Sequence, residues 1–174
     1  MREVDVVGVR VEMPSNNPVV LLRESTGERY LPIWIGAPEA TAIAFAQQGV
    51  VPPRPLTHDL MKDLLDATGN HLAEVRITDV RDGVFYAILA FASGVEVSAR
   101  PSDAIALALR TGTRVVCADE VLDEAGLEAP PESEEADQVG RSGADLPEQD
   151  TVVEQFREFL DTVSPEDFEA PGGS

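Results

Sequence analysis

The chain has 174 residues, an apolar content of 43% and a formal net charge of -19, enough for one domain with a core and too acidic overall to hold nucleic acid or anionic membranes by bulk charge. The charge is unevenly placed: residues 1–118 carry 14 acidic and 11 basic side chains, residues 119–174 carry 18 and 2. The N-terminus lacks an apolar signal core, no apolar run approaches a membrane span, and the single cysteine, Cys117, lies in an apolar run that reads as a buried reduced thiol; a soluble cytoplasmic protein is expected.

Residues 3–12 alternate apolar and polar with a valine-rich face, the period of a half-buried strand. A Pro/Asn turn follows. Residues 18–23 and 29–35 read as two further strands joined by the Ser25-Thr26-Gly27-Glu28 turn, with Pro32 marking the later strand as an edge or a bulged one. Residues 38–48 are alanine-rich, with Pro38 in the first turn and Gly49 just past the end, so a helix is expected there. Thr57 is a good N-cap for a second helix, where Leu60, Met61, Leu64 and Leu65 recur at helical spacing up to Gly69.

The first order then returns. Residues 71–79, 84–92 and 95–99 read as strands around the turns at Asp82-Gly83 and Ser93-Gly94, and residues 101–110 as a helix closed by Gly112. An offset of 63 residues lays Pro38 on Pro101 and Gly49 on Gly112, the pattern of two β-β-β-α units. Residues 114–118 form one more strand and residues 119–125 a short acidic helix. The expected fold is α+β, a mixed, mostly antiparallel sheet of six or seven strands with surface helices, filling residues 1–127. Residues 128–150, rich in Pro, Ser, Gly and acids, read as a disordered acidic linker. Residues 151–163 place Val152, Val153, Phe156, Phe159, Leu160 and Val163 on one helical face. That helix, in the segment 151–174, is expected to pack on its own domain or on a second copy, the alternatives being a separate protein partner or disorder.

Chemistry concentrates at three helix starts: Pro38-Glu39, Arg54-Pro55-Leu56-Thr57-His58-Asp59 and Arg100-Pro101-Ser102-Asp103. Each carboxylate has a plain structural account, because an acid in the first turn faces the positive end of the helix dipole and its free amides. The functional account gathers the three starts into one polar cleft. There Glu39, Asp59 and Asp103 would hold a divalent cation such as Mg or Mn, and His58 would move a proton. Arg54 and Arg100, with Thr57 and Ser102, would hold a phosphate at the helix N-termini. Glycine-rich phosphate loops, nucleophile elbows and cysteine zinc motifs are absent from the sequence.

Residues 31–40 (LPIWIGAPEA), 54–60 (RPLTHDL) and 99–108 (ARPSDAIALA) together resemble the bifunctional nuclease domain family over roughly residues 3–125. The resemblance implies a homodimer and cleavage of DNA and RNA, and it marks Glu39, Arg54, Thr57, His58, Asp59, Arg100, Ser102 and Asp103 as the matching polar positions. With only one lysine, Lys62, before residue 119, the expected activity is metal-assisted phosphodiester hydrolysis that is weak or restricted to single strands. The competing expectation is a non-catalytic binding or regulatory module with a tethered acidic helix.

Overall fold

The computed structural model describes residues 1–12 and 16–128; the acidic linker and the amphipathic segment 151–163 lie outside the described residues. Three strands, β1 (Arg2–Glu12), β2 (Asn17–Glu24) and β3 (Arg29–Trp34), form an antiparallel meander, followed by α1 (Ala37–Gln47) and α2 (Thr57–Ala67). A second meander, β4 (Leu72–Arg81), β5 (Val84–Phe91) and β6 (Glu96–Ala99), leads into α3 (Pro101–Thr111). Then come β7 (Val115–Cys117), α4 (Asp119–Ala125) and β8 (Leu127–Glu128). Both β-β-β-α units expected from the 63-residue offset are therefore present, and α2 lies between them.

One sheet of eight strands results, in the order β6-β5-β4-β7-β1-β2-β3-β8. The two meanders flank β7, which pairs antiparallel with β1 and parallel with β4. The eighth strand exceeds the six or seven expected, because β8 is only a two-residue pairing with Arg29 and Tyr30, too short to leave a periodic signal. That short cover also explains how Pro32 is tolerated: β8 does not reach it, so its missing amide breaks no ladder on that side. The β4–β5 turn uses Asp82 and Gly83, both with positive φ (51° and 76°), the pairing of residues that a tight two-residue hairpin favours.

Alternation decides the faces. Val20, Leu22, Leu31 and Ile33 are buried on one side of β2 and β3, and Val75 and Ile77 on the same side of the second meander. Against this face lies α3, with Pro101, Ser102, Ala104, Ile105, Ala106, Leu107 and Ala108 all buried. Each large apolar side chain such as Ile105 or Leu107 contributes about 1.5–3 kcal/mol on burial, while the alanines let α1 and α2 approach α3. By contrast α2 buries no residue fully. Cys117 is fully buried, and burial pushes its thiol up to about 12, as the apolar run around it implied.

Candidate active site

The N-termini of α1, α2 and α3 open onto one cleft of about 1100 Å³, with Leu89, Val97 and Ala99 from β5 and β6 among its walls. Glu39, Thr57, His58, Arg100 and Asp103 all line it. Local sequence places them. Pro38 and Pro101 preset the first turns of α1 and α3, and the extended N-caps Gly36 and Arg100, the latter directly before its proline, carry the chain in from the sheet. The caps differ from expectation: α2 begins at Thr57 with Leu56 as N-cap, and α3 has Arg100 as N-cap with no side-chain cap bond from Ser102. Ser102 is buried outside the cleft, and Arg54 is exposed, away from its walls and without a partner among the described residues.

Asp103 is the centre of the site. Arg100 donates to it in a fork, Nε to Oδ2 at 2.8 Å and Nη2 to Oδ1 at 3.1 Å, and the same Nη2 lies 2.8 Å from Glu39 Oε1. His58 Nε2 sits 3.2 Å from Asp103 Oδ1. Burial pushes the Asp103 carboxyl up, but hydrogen bonds from Arg100 and His58 outweigh it and hold the carboxyl below its usual range. An ionised Asp103 only accepts, so Nε2 of His58 is the donor in this contact. The His58 side chain is 11% exposed and the Arg100 side chain 66%, so the imidazole is enclosed while the guanidinium faces solvent.

Asp59 does not join this group. Its Oδ1 accepts from Arg110 Nε and its Oδ2 accepts from the Leu56 amide at 3.0 Å, so the carboxylate closes its own helix start and ties α2 to α3. Arg110, a residue the sequence reading passed over, also donates from Nη1 to the carbonyls of Ala42 at 3.0 Å and Ala106 at 2.9 Å. With its side chain only 7% exposed, it clamps three helices from behind the cleft. The only hint in the sequence was an arginine in the last turn of a helix otherwise apolar on its buried face.

A family model described as the bifunctional nuclease domain matches residues 20–130. The chain belongs to the bifunctional nuclease domain family. Two similar proteins, Rv1829 and MT1877 of Mycobacterium tuberculosis strains H37Rv and CDC 1551, are each called uncharacterized and are 56% identical over 170 residues, covering 98% of this chain and 99% of their own. All three polar motifs fall within the bifunctional nuclease domain match.

Within this domain the expected cation ligands do not fit a metal. Glu39 and Asp103 come together, but around the Arg100 guanidinium, which pairs with both, and Asp59 is committed to Arg110. Among the described residues no group of three His, Cys, Asp or Glu side chains is gathered to hold an ion. The basic residues of the domain are similarly engaged: of the 11 before residue 119, Arg10 and Arg54 alone lack an acidic partner among the described residues. Among the described residues no extended run of unpaired cations forms a positive groove.

Proposed function

We propose that this bifunctional nuclease domain cleaves short single-stranded nucleic acid in the α1–α2–α3 cleft, with His58 transferring the proton, Asp103 orienting it and Arg100 holding the scissile phosphate. The observation that carries this reading is the His58–Asp103–Arg100 chain of contacts inside the cleft. His58 Nδ1 takes the proton of the attacking hydroxyl, Asp103 stabilises the imidazolium through Nε2, and the leaving oxygen takes a proton from a water whose hydroxide then recovers the proton from His58. The Arg100 guanidinium stands where a divalent ion would otherwise be needed. RNA should react faster than DNA, since its 2′-hydroxyl is a nucleophile already in place.

The paired basic residues limit the substrate to short strands, because little electrostatic attraction is left for a long polyanion. The decisive assay follows cleavage of single-stranded RNA and DNA oligonucleotides by the purified full chain, with chelator or with Mn²⁺. His58→Ala should lower the rate roughly 10²–10⁴-fold, Asp103→Asn should lower it too, and chelator should leave it unchanged. Cleavage unaltered in both folded variants, or abolished by chelator, refutes the assignment. A second reading has its own support: Glu39, Arg100 and Asp103 already satisfy one another, as in a binding module. Oligonucleotide binding that is intact in every variant, with no cleavage by any form, selects that reading.

A further inference from the structure

Beside the cleft is a second hollow of about 510 Å³, and Arg100 is a wall of both. The hollow lies among the end of β3, the β4–β5 turn and the start of α3, with Trp34, Phe85, Asn17 and Ser102 around it. Trp34 is 54% exposed, an unusual state for so large an apolar surface. It is nevertheless fixed, because its indole Nε1 donates to Glu12 Oε2 at 2.9 Å. A ring held in place before any ligand arrives loses little freedom on binding.

We propose that this hollow is a nucleobase subsite: Trp34 is the stacking platform for the base of the nucleotide whose phosphate rests on Arg100. The inference rests on the cleavage reading above and gives it a substrate contact. Stacking answers a difficulty of that reading, since most cations of the domain are already neutralised and another source of affinity is required. Base–aromatic stacking supplies it without charge and tolerates any base, the behaviour expected of a site acting on both RNA and DNA. The Asn17 carboxamide at the rim offers a donor and an acceptor to a base edge. A stacked base must be unpaired, so duplexes are excluded.

Trp34 is the one tryptophan of the chain, so its fluorescence reports this hollow directly. The probes are a 2′-O-methyl oligouridylate, which lacks the attacking hydroxyl, and an abasic phosphodiester of equal length. Saturable quenching by the first and none by the second is expected. By anisotropy of the labelled oligouridylate, Trp34→Leu should weaken binding about 5- to 100-fold while Trp34→Phe keeps most of it. Equal quenching by the abasic strand, or unchanged affinity in Trp34→Leu, overturns the subsite. Emission that changes with protein concentration alone also overturns it, since a second copy would then cover Trp34. If His58→Ala abolishes cleavage but Trp34→Leu binds normally, the cleavage reading stands and the subsite fails. If Trp34→Leu loses binding and no form cleaves, the subsite stands and the cleavage reading fails.

Discussion

At Asp59 the Arg110 guanidinium, aided by the Leu56 amide, holds the carboxyl below its usual range against the opposing effect of burial. A carboxyl whose folded value is depressed contributes stability in full above its unfolded value of about 3.9, and that contribution fades as pH falls through the folded value. Asp59→Asn should therefore cost roughly 1–2 kcal/mol at neutral pH, and the gap from the parent should narrow below about pH 4. Urea unfolding across that range measures it; a gap independent of pH would mean that Arg110 does not act on Asp59. Asp103 stands at the same third position of its helix as Asp59, yet it serves the cleft while Asp59 serves the fold. Locally the two motifs differ at the N-cap, where Arg100 forks onto Asp103 while Leu56 offers Asp59 only its amide, and their remaining side-chain partners are distant. These lie 45 and 51 residues away, His58 for Asp103 and Arg110 for Asp59, and such distances are set by helix packing that no motif encodes.

Among the elements, α2 is the one held least by burial. It has no fully buried residue, although Leu65 packs partly against the core, and the Asp59–Arg110 and His58–Asp103 contacts are its polar ties to α3. Arg110→Met should destabilise the domain by about 2–4 kcal/mol, because it leaves Asp59 without its cation. It should also speed amide hydrogen exchange in α2 more than in α3; equal acceleration in both would show a general loss of core packing instead. The existence and order of the elements were readable beforehand, since the alternation of Val4 and Val6 in β1 and the Pro38/Gly49 and Pro101/Gly112 brackets are local patterns. Thr57 misled as a cap because the structure starts α2 one residue earlier, with Leu56 as N-cap, and lets Asp59 reach back to the Leu56 amide. The pairing of β8 with β3 and the neighbourhood of Trp34 and Arg100 depend on how the two meanders come together around β7, which periodicity does not address.

At the scale of the whole domain, apolar surface is left over on both sides of the cleft. Leu60 and Leu64 of α2 and its N-cap Leu56 are exposed, Leu64 at 55%, and so are Val95 and Val97 before and within the sheet's edge strand β6. Leu60 and Val97 both line the cleft, so the two apolar zones adjoin across it. An amphipathic helix without a partner and an unpaired strand edge are surfaces that another chain covers readily. The homodimer that the sequence resemblance implies would cover both, with the second copy forming an outer wall of each cleft. Leu64→Glu places a charge in that contact and touches neither the cleft lining nor the buried core. Sedimentation should show the parent as a dimer and the variant as a monomer with its far-ultraviolet dichroism unchanged. A parent that is monomeric, or a variant still dimeric, would remove α2 from any self-association. If the dimer forms as argued, specific activity of the parent should fall on dilution below its dissociation constant, since each cleft then loses its outer wall.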